Sequence, residues 1–163
     1  MSKILMDKKV IKSMEEINRV MIGKERTVHQ IMTAILAGGH VLIEDIPGVG
    51  KTTLAFSKVL GLSYQRIQFT PDIMPTDIAG FSIYHMESET FEYREGAAMT
   101  NLLLADEINR TSPKTQSALL EAMEEGKITV DGVTRDLPDP YIVLATQNPL
   151  GSIGTHTLPE SQL

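Results

Sequence analysis

The sequence predicts an α/β fold, a parallel sheet with helices on both faces. Three observations lead there. Apolar runs of strand length alternate with longer stretches whose apolar residues recur at helical spacing. The stretch joining the first such run to the next helix, "EDIPGVGKTT" (44–53), is nearly a phosphate-binding loop. A later apolar run, "NLLLADE" (101–107), ends in two adjacent acids where a strand would leave the core.

Val10, Met14, Ile17 and Met21 mark a first amphipathic helix, broken at Gly23. Val28, Ile31, Met32, Ile35 and Leu36 mark a second, ending at Gly38-Gly39. "HVLIE" (40–44) reads as a short buried strand, and "KTTLAFSKVL" (51–60) as the helix after it, stopped by Gly61. "YQRIQF" (64–69) is the next strand, and Pro71 and Pro75 bracket a turn. "FSIYHM" and "TFEYRE", joined by a polar turn at 87–89, predict a β-hairpin. After the acidic strand, Ser112 caps a helix that has Pro113 at its first position and Gly126 past its end. "KITVDGVTRDL" (127–137) predicts a second hairpin about Asp131-Gly132, and "YIVLATQN" (141–148) a fourth sheet strand.

The loop at 44–53 supplies Gly50, Lys51 and Thr52 of the pattern G-x-x-x-x-G-K-[ST], with Asp45 where the first glycine would be. Phosphates are held there by backbone N–H groups at a helix start, so neighbouring side chains must be small. Gly48 and Gly50 allow that approach, and Pro47 stiffens the turn. The cradle is expected over Gly48, Val49, Gly50, Lys51, Thr52 and Thr53, with Lys51 on the outer phosphates and the Thr52 hydroxyl on magnesium. The alternative is a strand–turn–helix corner with an accidental Gly-Lys-Thr. Asp106 at the acidic strand's tip can hold the magnesium hydration shell, and Glu107 can deprotonate the attacking water. Asp-Glu at a strand exit is also a common solvent-facing feature. Asn148 can bond a terminal phosphate or the water, or belong to an ordinary Asn-Pro turn.

Composition excludes other classes. The chain has 163 residues, 42% apolar and 22% charged, with no cysteine, so disulfides and thiolate metal sites are ruled out and a reducing compartment is expected. A net charge of −6 argues against general nucleic-acid binding. The apolar runs are strand-sized and the N-terminus lacks a signal-peptide pattern, so no membrane insertion is expected and the cytoplasm is the natural location. His29, His40, His85 and His156 are scattered without ligand spacing, and Glu121, Glu124 and Glu125 read as a solvated helix end. "DIAG" (77–80) fits a GTPase switch pattern, but no N-K-x-D guanine motif follows.

Together "EDIPGVGKT", "RIQFTPDIMPTDIAG", "LLLADEINRTSPKTQSALLEAMEEGKITVDG", "ATQNP" and "GTHTLPESQL" make the chain resemble the MoxR-type ATPases of the AAA+ superfamily. The resemblance implies a P-loop NTPase (AAA+) three-layer fold with inserted hairpins, and ATP and Mg2+ as cofactors. It also implies ring oligomers, usually hexamers, that remodel client proteins like chaperones, with von Willebrand factor A domain proteins as partners. Lys51 and Thr52 match its phosphate loop, Asp106 and Glu107 its magnesium and water-activating acids, and Asn148 its first sensor. Ile22 and Gly23 match a pair that lies near the adenine. The departures are Gly96-Ala97 for the usual Gly-Pro, Gly151-Ser152-Ile153 for a polar acidic stretch, and His156 for an aromatic. Family members continue from "ESQL" into Asp-Arg-Phe. The expected organisation is therefore one AAA+ core over 1–163, incomplete at its C-terminus: helices over 1–39 and a partial P-loop sheet over 40–163. The fifth strand, arginine finger and helical lid are expected to be missing, leaving "HVLIE" at a sheet edge. Such a fragment is expected to bind nucleotide weakly, hydrolyse it barely and close no ring. A non-catalytic nucleotide-binding scaffold is the competing expectation.

Overall fold

The computed structural model describes residues 3–44 and 49–147. Two helices open the chain, α1 (Lys3–Val20) and α2 (Glu25–Ala37), followed by β1 (Val41–Glu44), α3 (Val49–Leu60) and β2 (Tyr64–Gln68). A single-turn α4 (Pro75–Ala79) leads into the hairpin β3 (Gly80–His85) and β4 (Thr90–Glu95). Then come β5 (Leu102–Asp106), a 3-10 turn over Ile108–Arg110, α5 (Pro113–Glu125), the hairpin β6 (Lys127–Val130) and β7 (Val133–Asp136), and β8 (Ile142–Gln147).

β1, β8, β5 and β2 form one sheet in that order, and every pairing is parallel. Parallel sheets need cover on both faces, and the period-2 alternation of the central strands shows how it is divided. Leu102, Leu104, Ile142 and Leu144 face a cluster with Ile17 of α1, Val28 and Ile31 of α2 and Phe56 of α3. Leu103, Ala105, Val143 and Ala145 face the other cluster, with Ile78, Leu119, Ala122, Ile128 and Leu137. The result is three layers. Among the described residues β1 lies at one edge of the sheet, where the sequence places "HVLIE".

Local chemistry explains most boundaries. Gly38 ends α2 in the left-handed region, its N–H bonded back to Ala34 and Ile35 carbonyls. Ser112 accepts the Thr115 N–H at the start of α5, with Pro113 in the first turn. Asp131 and Gly132 take φ of 52° and 75°, the paired positive values of a type I′ turn. His40 accepts the Val143 N–H at Nδ1 (3.0 Å), and its Nε2 then donates to the Met123 carbonyl (3.0 Å), tying the base of β1 to β8 and α5.

Two sequence expectations need correction. Residues 75–79 form α4 rather than the far side of a turn. Pro75 occupies the first helical position, where its missing N–H costs nothing, and the Asp77 carboxylate accepts the Met74 N–H at 2.8 Å. Leu36 does not continue the buried stripe of α2; it is 56% exposed, while Val28, Ile31 and Met32 carry the burial. The "DIAG" stretch also finds a structural account. Asp77 caps α4, and Gly80 has φ +89° with its α-carbon so close to β4 that an added Cβ would lie 2.2 Å from the Arg94 carbonyl oxygen.

Phe56 is fully buried and joins α3 to the sheet. Phe56→Ala is expected to cost about 3–5 kcal/mol, as transfer free energy plus a residual cavity. Urea unfolding of the two proteins measures the difference.

Candidate nucleotide site

All four sheet strands among the described residues run the same way, so their C-terminal ends share one edge, where Asp106 and Glu107 stand. α3 starts at Val49, two residues earlier than the sequence indicated, with Val49, Thr52 and Thr53 buried and Lys51 exposed. A Cβ on Gly50 would meet the Leu104 side chain at 3.5 Å, so the first turn of α3 lies directly over β5. Leu104 is two residues before Asp106 on the same face of β5, so the acid's side chain leaves the sheet toward the layer that holds α3.

Within that turn the Thr53 hydroxyl donates to the Val49 carbonyl at 2.9 Å. The Thr52 hydroxyl lies 3.8 Å from the Met21 sulfur. Met21 immediately precedes Ile22 and Gly23, so the α1–α2 turn borders the start of α3. Ile22 is 87% exposed there, and Gly23 has φ +77° with its N–H donating to the Glu25 carboxylate at 3.2 Å. Asp45, Pro47, Gly48 and Asn148 lie outside the described residues.

The two acids hold different positions. Asp106 is nearly covered, and each carboxylate oxygen has a partner. The Arg66 Nε donates to Oδ2 at 2.7 Å, and the Thr146 hydroxyl donates to Oδ1 at 3.3 Å. The Asp106 hydrogen bond, and then its charge, hold the Arg66 pKa above the usual value for arginine. Glu107 follows in the left-handed conformation, φ 58° and ψ 48°. That region costs a side-chain-bearing residue about 1–3 kcal/mol, and it persists only where surrounding bonds fix it. Here the bonds are the Glu107 N–H to the Thr146 hydroxyl (2.9 Å), the Arg110 N–H to the Glu107 carbonyl (2.9 Å) and the Phe69 N–H to the Asp106 carbonyl (2.8 Å). The Glu107 carboxylate pairs with the Arg110 guanidinium at 2.8 Å. One strand further along the edge, Gln147 donates through its amide to Glu44 at the end of β1.

Arg66, Arg110 and Thr146 were not singled out as acid partners by sequence reasoning. Register could have found Thr146: Ala105 pairs with Ala145, so the next residues, Asp106 and Thr146, are neighbours on one face. Arg66 follows from the same logic, two residues before Gln68, which pairs with Asp106. Arg110 sits three residues after Glu107, within reach across one turn.

The donor set suits magnesium. A hydroxyl at Thr52 and one carboxylate at Asp106 are hard oxygen donors, and magnesium takes few protein ligands, completing its shell with water and phosphate. Among the described residues no group of three or more His, Cys, Asp or Glu is placed to hold an ion by itself. A helix start beside an exposed lysine fits an anion of the polyphosphate type, because the N-terminal end of a helix favours negative charge.

Residues 40–163 match the family model described as the ATPase family associated with various cellular activities (AAA). The chain is a MoxR-type AAA+ ATPase family member. It is 59% identical over 154 residues to the uncharacterised protein YeaC of Bacillus subtilis, an alignment covering 93% of this chain and 48% of the relative. It is 46% identical over 149 residues to chaperone MoxR1 of Mycobacterium tuberculosis, covering 90% of this chain and 40% of that protein. A crystal structure of a candidate ATPase from Cytophaga hutchinsonii superposes with a TM-score of 0.81 at 40% identity, covering 95% of this chain and 48% of that one. The chain thus spans less than half the length of each of these relatives. The α/β P-loop fold expected from sequence is the fold of the family.

Lys51 is exposed and carries no part of the core, so its removal should leave stability within about 0.5 kcal/mol. Lys51→Ala is expected to keep the thermal midpoint and lose ATP binding in calorimetry.

Proposed function

We propose that the protein performs magnesium-dependent ATP hydrolysis as part of a ring oligomer and uses it for chaperone-like remodelling of client proteins. The observation that carries the reading is the convergence of two elements on one sheet edge. The start of α3, with Lys51 and Thr52, lies over β5, which ends in Asp106 and is followed at once by Glu107. A phosphate cradle alone binds; hydrolysis also needs a charge-neutralising metal site and a base near the terminal phosphate.

In this reading the backbone of residues 48–53 cradles the phosphates, Lys51 neutralises the outer ones, and Thr52 and Asp106 hold the magnesium shell. The ion's part is to neutralise charge developing on the transferred phosphoryl group. Glu107 takes the proton of the attacking water, Asn148 contacts the terminal phosphate, and Ile22 and Gly23 border the adenine. The helices over 1–39 and the sheet over 40–163 act as one nucleotide-binding core. Ring assembly, a von Willebrand factor A domain partner and a cytoplasmic setting complete the proposal. Support comes from the relative named chaperone MoxR1 and from family membership. Among the described residues no helix is long and apolar enough to cross a membrane.

One observation favours a second reading, a nucleotide-binding scaffold without turnover. The Glu107 carboxylate is paired with the Arg110 guanidinium at 2.8 Å, so one of its oxygens is engaged rather than offered to a water. In the hydrolytic reading this ion pair belongs to a resting state that nucleotide reorganises.

Glu107→Gln separates the two. The amide keeps the shape but cannot accept the proton, so ATP binding should persist while turnover falls by roughly 10²–10⁴-fold. Steady-state phosphate release and nucleotide titration on the same preparations measure both, and a fall of less than about tenfold favours the scaffold. Asp106→Asn should instead shift the magnesium concentration at half-maximal rate upward, in a titration at saturating ATP.

A further inference from the structure

Between the two acidic residues and β8 stands a single hydroxyl whose bonding capacity both of them use. Thr146 Oγ1 accepts the Glu107 backbone N–H at 2.9 Å and donates to the Asp106 carboxylate at 3.3 Å. A hydroxyl has one proton to give, so donation to Asp106 leaves its lone pairs for the Glu107 amide. Serine alone among the smaller side chains offers the same hydroxyl. Valine has neither donor nor acceptor, and alanine has neither and leaves a gap.

The consequence follows from the backbone. Glu107 holds φ at +58°, which side-chain-bearing residues adopt rarely. Its direction of side-chain exit is set by that conformation. Carbonyl bonds on either side, from Phe69 to Asp106 and from Arg110 to Glu107, fix the peptides flanking it. The Thr146 bond fixes a further polar group of the turn, the Glu107 N–H itself. Through Oδ1 the same hydroxyl also fixes the rotation of the Asp106 carboxylate, leaving Oδ2 to Arg66.

We propose that Thr146 is a positioning residue: it couples the orientation of the Asp106 carboxylate to the left-handed turn that aims Glu107. This rests on the hydrolytic reading above for its effect on rate, but not for its effect on the turn. Thr146 itself need touch neither nucleotide nor water. Its removal should therefore lower kcat and leave the nucleotide affinity alone.

The test compares Thr146→Val and Thr146→Ser in the complete protein, with Glu107→Gln as a control. Valine keeps the β-branched shape that suits a central strand, and serine keeps the hydroxyl. The first readout needs no nucleotide: hydrogen exchange of the Glu107 amide, resolved by NMR. Thr146→Val should speed that exchange by about tenfold, the scale of one hydrogen bond, and Thr146→Ser should restore it. The second readout is steady-state hydrolysis, where Thr146→Val should lower kcat by about tenfold or more with KM unchanged, and Thr146→Ser should recover it. Should Thr146→Val fail to fold, Thr146→Ala takes its place with the same expectations. Unchanged exchange overturns the proposal, as does faster exchange with unchanged kcat, or a serine variant as impaired as valine. If Glu107→Gln turns over as fast as the unaltered protein, it is the hydrolytic reading that fails. In that case the exchange comparison still decides whether Thr146 holds the turn.

Discussion

Two-sided burial of the central strands governs everything else in this protein. Leu102 to Ala105 of β5 and Ile142 to Ala145 of β8 are each at most 3% exposed. A strand covered on both faces can hold no unpaired polar side chain, because burying one without a partner costs about 1–3 kcal/mol or more. Polar chemistry is therefore displaced to the first positions past the cover. In a parallel sheet those positions lie at one edge for all strands, so Asp106, Glu107, Thr146, Gln147 and Glu44 gather there from three strands, and Arg66, level with Leu104 on β2, reaches Asp106 with its long side chain. The same cover draws α3 across β8 to lie on Leu104, which brings a helix start to that edge.

The acids at the edge are satisfied but not locked. Arg66 is 58% exposed and Arg110 is 41% exposed along their side chains. Ion pairs so open to water contribute about 0–1 kcal/mol each and are screened by salt. Guanidinium groups so exposed can exchange partners at little cost. The bonds to Thr146 are of another kind. They are made within the sheet's own backbone register and do not depend on long, mobile side chains. The edge thus combines two arginines that can change partner with a turn that is held in place.

The alternation of buried strands and helical stripes made the sheet, both hairpins and four of the five α-helices legible in the sequence, because burial writes a period that a single chain displays. α4 was not legible. Two prolines four residues apart suggest a turn, and only the Asp77 cap and the packing of Ile78 into the core show why one helical turn starts at the second of them. The candidate site was legible in its motifs and not in its wiring. Lys51, Thr52, Asp106 and Glu107 stand in local patterns, each readable within a few residues. Arg66 and Thr146 each lie forty residues from Asp106, and their roles follow from strand order and register, which local patterns do not contain. At the end of β8 the Thr146 hydroxyl turns sideways to β5, a direction that no local pattern in its strand announces.

The base of the first hairpin has a different kind of consequence. Gly80 and Gly96 pass so close that a side chain on either would strike backbone, at 2.2 Å and 2.3 Å. Just beyond them the Tyr93 hydroxyl donates to the Ala79 carbonyl, and Arg135 of the second hairpin lies 3.9 Å over the Tyr93 ring. Past that seal, Tyr84, Met86 and Phe91 stand in solvent and touch nothing in the two cores. The hairpin is thus a socket with an interchangeable tip. Evolution or an engineer can lengthen, shorten or re-letter residues 84–91 without renegotiating the sheet, while Gly80 and Gly96 admit no alternative.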